Sequence, residues 1–157
     1  MPKPKPCPCA SGRPYRACCE PYHAGAEPPD PSALVRSRYA AFALKDARYL
    51  WRTLHAEHED RARDEGAFAR AIRGSQLRFM GLQILDAAPS DEAGIARVLF
   101  LAKVFDRGRE LSFVELSGFR HDGEGFRYLS GITVPARALP GGGAGLTIAA
   151  FEQARPR

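Results

Sequence analysis

No cysteine occurs after position 19, and the 157 residues hold only two methionines and one tryptophan. Any sulfur-ligand or thiol chemistry is therefore confined to the N-terminal segment. No apolar run approaches the roughly 18–20 residues that a bilayer-crossing helix needs. The opening Met-Pro-Lys-Pro-Lys-Pro has the charge of a secretion signal, but no apolar stretch comes after it, so a cytoplasmic protein with reduced thiols is expected. An acidic excess is lacking too: 23 Lys and Arg face 18 Asp and Glu, a formal charge of +5. That balance suits contact with ribosomal RNA or an acidic protein surface, and equally an arginine-rich composition with no partner at all. Neither a Ser-His-Asp arrangement, a phosphate-cradling glycine loop nor a second metal cluster can be read along the chain.

What is present is an ordinary globular composition, 45% apolar and 26% charged, enough for one domain with a core and a small appendage. Four segments are expected. Residues 1–25, rich in Pro, Cys and Gly, read as a metal-nucleated knuckle, and residues 26–31 (Pro28-Pro29-Asp30-Pro31) as a linker. Residues 32–134 form the main domain. Residues 135–157, with Gly141-Gly142-Gly143, form a mobile tail in which Leu146 to Phe151 could dock.

The main domain divides into helices and then strands. A first helix starts at Ser32 behind an Asp30 or Ser32 cap, with Val35, Tyr39 and Phe42 on one face. Asp46 caps a second helix through Tyr49, Leu50 and Leu54. Asp64 caps a third, with Phe68 and Ile72 on one face and Gly74 at its end. Strands are expected at Leu77–Leu85, Ile95–Phe105, Glu110–His121 and Phe126–Val134, separated by turns at Pro89–Gly94, Asp106-Arg107-Gly108 and Asp122–Gly125. Helices on one face of a four-stranded antiparallel meander make an α+β roll.

Cys7 and Cys9 are followed eight residues later by Cys18 and Cys19. Four thiolates in so short a span can close a tetrahedron around one ion, the pattern of structural zinc. Iron also takes four sulfurs, and a redox pair or disulfides are the competing readings. Ser11-Gly12 supplies a turn, and Tyr15 can cover the sulfurs. A segment this short buries too little surface to fold without its ion.

Cys7-Pro8-Cys9-Ala10-Ser11-Gly12-Arg13-Pro14-Tyr15-Arg16-Ala17-Cys18-Cys19 resembles the SEC-C motif, which implies zinc binding and contacts with a protein or ribosomal partner. The remainder of the chain, to about residue 132, resembles the YchJ family of bacterial proteins. The resemblance rests on Tyr22-His23, Arg36-Ser37-Arg38-Tyr39, Tyr49-Leu50, Thr53-Leu54-His55, Glu115-Leu116-Ser117-Gly118-Phe119 and Phe126-Arg127-Tyr128-Leu129-Ser130-Gly131. It implies a nuclear-transport-factor-2-like (cystatin-like) roll. The chain departs from the family pattern in having Leu54 for a tryptophan, Ser130 for an aspartate, and no second SEC-C motif.

A roll of this kind has a mouth partly closed by its first helix, and the polar residues expected there are Arg36, Arg38, Tyr39, His55 and Glu115. Glu115 alternates in register with Phe113, Ser117 and Phe119 on the apolar face, where a carboxylate is costly without a partner. Pairing with Arg36 or Arg38, tying helix to sheet, is the structural reading and the one given more weight. The other makes Glu115 a base acting on a small ligand, with His55, Arg36 or Tyr39 orienting it. His55 is placed at a helix end, His23, His58 and His121 at the surface, and Arg61 and Arg63 in a solvated loop. The leading functional expectation is an adaptor-like protein whose zinc knuckle docks through Lys3, Lys5, Arg13 and Arg16. The alternative is a small-molecule binding protein or enzyme, and homodimerisation is a further expectation.

Overall fold

The computed structural model describes residues 3–156; Met1 and Pro2 of the expected knuckle and Arg157 of the expected tail lie outside the described residues. Each main helix begins where a short acidic side chain can accept a free backbone N–H. Asp30 caps α2 (Pro31–Leu44) through Ala33 N at 2.8 Å, with Pro31 at the first position. Asp46 caps α3 (Ala47–Arg52) through Tyr49 N at 3.1 Å, and Asp64 caps α4 (Glu65–Gly74) through Ala67 N at 3.0 Å. A one-turn helix, α1 (Glu20–His23), precedes them. Helix α2 ends at Lys45, whose φ of 58° stops the helix in the left-handed region.

The sheet runs β1 (Leu77–Ala88), β2 (Ile95–Asp106), β4 (Phe113–His121), β5 (Phe126–Pro135), all antiparallel neighbours in that order. The expected third strand is interrupted: a two-residue β3 (Arg109–Glu110) pairs with β2 before β4 begins. The edge of β5 is not bare. Tyr128 N donates to Thr53 O and His55 N donates to Tyr128 O, both at 2.8 Å, so the chain leaving α3 runs parallel to β5.

One face of the sheet carries Val98, Phe100, Ala102 and Val104 of β2 with Phe113 and Phe119 of β4, and packs on α2. Helix α2 is buried on most sides, with Leu34, Val35, Ser37, Arg38, Tyr39, Ala40 and Ala41 all below the surface, rather than along the single Val35–Tyr39–Phe42 stripe. The opposite face is covered as well. Leu99, Val114, Leu116 and Val134 pack with Leu139 and a fully buried Phe151 from α5 (Ile148–Ala154). The expected mobile tail is thus a packed layer, anchored where Ile148 N donates to Asp86 of β1 at 2.8 Å. The cause is visible in β2 and β4, whose apolar residues occupy both faces and need cover on both.

The expected linker is tied down too. Pro28 is buried, and Glu27 pairs with the buried Arg127 of β5 at 2.9 Å. No helix among the described residues is long and apolar enough to cross a membrane.

Candidate functional site

Two places concentrate chemistry, and they lie on either side of α2. The first is the cysteine cluster. Cys7 N donates to Arg13 O and Tyr15 N to Lys5 O, both at 2.9 Å, pinning the two ends of the loop together. Gly12, at φ 83°, takes a turn conformation that a side chain disfavours. The four Sγ atoms all lie within 4.8 Å of one another. Cys9 and Cys18 are 3.5 Å apart, and Cys18 and Cys19 3.9 Å. A tetrahedron with metal–sulfur bonds of about 2.3 Å has edges of about 3.8 Å, so this spacing fits an ion. The cysteines are free thiols, not disulfides.

The protonation pattern agrees. Hydrogen bonding from Cys19, reinforced by Ser11, pulls Cys9 down to about 4, whereas burial pushes Cys7 up to about 11. Its hydrogen bond to Cys9, together with burial, pushes Cys19 well above the ordinary thiol value. Crowded sulfurs of this kind share one negative charge among themselves, and only a cation lets all four ionise.

The cluster belongs to the body of the protein. Cys7, Cys9 and Cys19 share one apolar core with Leu34, Val35 and Leu50. Arg36 Nη1 donates to Cys9 O at 3.1 Å, so Arg36 serves the knuckle and not the mouth of the roll. His23 is no free surface residue. Its Nε2 is 2.8 Å from Ser37 O, which fixes the proton there, and its Nδ1 accepts from Tyr15 Oη at 2.6 Å. Arg52 Nη2 donates to Tyr22 O at 2.8 Å.

The second place is a cavity of about 210 Å³ between α2 and the sheet. Phe42, Phe79, Phe100, Phe113 and Phe119 supply its apolar walls. Of the five polar residues expected there, Arg38, Tyr39 and Glu115 line it. His55 does not; it lies beyond the end of α3, its Nδ1 accepting from Glu57 N at 3.1 Å. The expected arginine–glutamate pair is not formed: among the described residues no basic side chain lies within 4.0 Å of Glu115.

Instead Glu115 sits in a nest of hydroxyls. Tyr128 Oη donates to its Oε2 and Thr133 Oγ1 to its Oε1, each at 3.0 Å, and Ser117 Oγ also donates to Oε2. Three donors converging on one carboxylate suit its ionised form. Gly131 makes room for the nest, since a Cβ there would stand 2.6 Å from Glu115 Oε2. Burial, then the charge of Glu115, pushes the Tyr128 hydroxyl well above its ordinary value, keeping it a donor.

Arg38 is fixed from behind: Nη1 donates to Leu50 O at 2.9 Å and to Thr53 Oγ1 at 2.6 Å. Its guanidinium lies 4.7 Å from the ring centre of Tyr128 and 5.9 Å from that of Phe42. Burial lowers its pKa, but arginine starts so high that it keeps its charge. Tyr39 is spoken for. A bulge in β1 leaves Met80 unpaired in the register, and Tyr39 Oη closes both free groups beside it, donating to Gly81 O at 2.7 Å and accepting from Gly81 N at 2.9 Å.

The segments on which the family resemblance rested meet here. Arg38 reaches Thr53, Ser37 reaches Tyr49, and Ser117 and Tyr128 both reach Glu115. Residues 30–131 match the YchJ middle NTF2-like domain, and residues 4–21 match the SEC-C motif. The chain belongs to the YchJ family. A YchJ protein of the UPF0225 group from Shigella dysenteriae is 34% identical over 127 residues, 80% of this chain and 81% of that one. A UPF0225 protein from Deinococcus radiodurans is 61% identical over 54 residues, 34% of this chain, and the match spans only 42% of that relative's length. A SEC-C motif containing protein from Rhodopseudomonas palustris superposes with a TM-score of 0.68 at 31% identity, over 83% of this chain and 99% of that one. Another from Psychrobacter arcticus has the same fold, with a TM-score of 0.66 at 23% identity over 80% and 81% of the two chains. The Rhodopseudomonas palustris protein, described as containing a SEC-C motif, thus shares this fold.

Three functional side chains could not be singled out along the chain: Tyr128, Ser117 and Thr133. Tyr128 stands in the Phe126–Gly131 segment, but alternation alone could not place it under Arg38. His58 and Arg61 also differ from expectation. His58 packs 5.1 Å from Tyr128, where burial lowers its pKa, and Arg61 stacks 4.9 Å over Trp51 while donating to Trp51 O and Leu54 O.

Proposed function

We propose that this protein is a small-molecule binding roll whose mouth-forming helix is held in place by a structural zinc ion. The observation that carries this reading is the cavity itself, in which a buried cation and a carboxylate face an apolar space without pairing to each other. Buried charges are ordinarily paired, so an open cavity lined by a buried arginine with no carboxylate partner is arranged for a guest. Cys7, Cys9, Cys18 and Cys19 would hold the ion. All four positions are filled by sulfur, which suits a structural role and supplies no open position for catalysis.

Ligand-observed NMR with single-ring aromatic compounds tests this. Compounds of about ten non-hydrogen atoms should bind with Kd of roughly 0.1–1 mM. Leu77→Trp, at the 38% exposed rim of the cavity, should abolish that binding while leaving the fold intact. Binding that survives Leu77→Trp, or none to the native protein, would defeat the reading.

A second reading is docking on a protein or ribosomal partner through the knuckle. Lys3, Lys5, Arg13 and Arg16 are all exposed there, which favours it. A tetrathiolate zinc carries a net charge of 2−, however, so part of this basic charge offsets the ion cluster itself. Charge-driven docking predicts binding to ribosomes or an acidic partner that weakens steeply with salt.

A further inference from the structure

The cavity's two charges meet at one side chain, Tyr128. Arg38 lies over the ring of Tyr128, and Glu115 accepts from the hydroxyl of the same residue. Neither group is saturated. Arg38 uses only Nη1, and its Nε and Nη2 have no hydrogen-bond partner among the described residues. Glu115 accepts three hydrogen bonds, which leaves one of roughly four carboxylate lone-pair sites open. The rest of the lining is aliphatic or aromatic apart from Ser117, already committed to Glu115, and Tyr39, already committed to Gly81.

One cation and one anion make this space electrically balanced before any guest enters. A ligand with a net charge would leave one charge uncompensated among phenylalanines, an expensive arrangement in a poorly solvated site. Size restricts the guest as well. A cavity of about 150 Å³ takes benzene, so 210 Å³ takes a single ring carrying one or two small polar groups.

We infer that the cavity takes a small, net-neutral ligand with a ring-sized apolar body, a hydrogen-bond acceptor directed at Arg38 and a donor directed at Glu115. This rests on the ligand-binding reading of the same cavity and adds the chemical class. The ligand bridges Arg38 and Glu115, and its polar ends complete the donors left open on the one and the acceptor site left open on the other.

Four probes of nearly equal size decide the matter by calorimetric titration into the full, zinc-loaded protein at about pH 6.5. They are neutral 4-hydroxyacetophenone, anionic 4-hydroxybenzoate, cationic 4-hydroxybenzamidine, and acetophenone, which lacks the donor. 4-Hydroxyacetophenone should bind about ten-fold or more tighter than each of the others. Glu115→Gln removes the anion and leaves the site with a net positive charge, so 4-hydroxybenzoate should become the tightest ligand. The ranking in the native protein stands as a test by itself if that variant does not fold. Equal affinity for all four would overturn the inference while leaving a ligand-binding cavity. 4-Hydroxybenzoate tightest in the native protein would overturn it too, because the site would then answer to Arg38 alone. No binding by any probe would overturn this inference and the binding reading together.

Discussion

At the scale of single residues, the roll depends on polar side chains that each do a defined job inside an apolar setting. Tyr39 is the clearest case. Its hydroxyl satisfies both the N–H and the C=O of Gly81 at the β1 bulge. Tyr39→Phe keeps the ring and strands both groups, so unfolding in urea should show a loss of about 1–3 kcal/mol with an unchanged denaturant slope. Gly131 makes the opposite contribution by having nothing to offer. Gly131→Ala would drive a methyl toward Glu115 and Tyr128. We expect it to weaken probe binding in the cavity about ten-fold while the far-ultraviolet circular dichroism stays native. An unaltered affinity would mean that the hydroxyl nest does not shape the site.

At the scale of elements, two segments expected to be peripheral are part of the core. The knuckle contributes Cys7, Cys9 and Cys19 to the cluster around α2, and Arg36 and His23 cross-link the two. Chelating the proposed zinc ion should therefore lower the melting temperature of the whole chain by about 10 °C. The transition should stay single, whether followed by circular dichroism or by Trp51, the one tryptophan, on α3. A roll transition left unmoved by chelation would show that the knuckle is a separable unit. Helix α5 offers the parallel test on the other face. Phe151→Ala empties a fully buried site between Leu99, Val114 and Leu116, and should cost about 3–5 kcal/mol in equilibrium unfolding.

At the scale of the whole molecule, Arg127 joins the segment before α2 to the last strand. It is buried, and it pairs with Glu27 at 2.9 Å and with Asp122 at 3.0 Å. The hydrogen bond from Arg127 holds Glu27 below its ordinary value of 4.5. Burial works against Asp122, but the backbone N–H groups of Glu124 and Gly125 and the charge of Arg127 outweigh it and hold it below 3.8. Folded-state values lower than unfolded ones give stability that is complete above the unfolded values and is lost as pH falls through the folded ones. Stability should therefore be level near neutrality and decline below about pH 4.5. Arg127→Met should cost about 1–3 kcal/mol at neutral pH, the half-exposed carboxylates keeping the figure modest, and should flatten that acid decline. An acid profile identical in the variant would place the titrating groups elsewhere.

The order of helices and strands, the caps at Asp30, Asp46 and Asp64, and the clustering of the four cysteines could be read along the chain, because each depends on neighbours a few residues away. Asp30 needs only Ala33, and the cysteines lie within one loop. The cavity was legible in part: alternation put Glu115 on the inner face, and helical spacing put Arg38 and Tyr39 on the helix above it. Which charge meets which partner was decided only by the tertiary structure. The chain leaving α3 pairs with β5, and that pairing brings Thr53 to Arg38 and sets Tyr128 between Arg38 and Glu115. Local sequence determined the elements and the cysteine cluster through short-range hydrogen bonding and side-chain chemistry. Long-range strand pairing and the packing of both sheet faces decided the rest, since burial and charge pairing depend on groups up to a hundred residues apart, as Glu27 and Arg127 are.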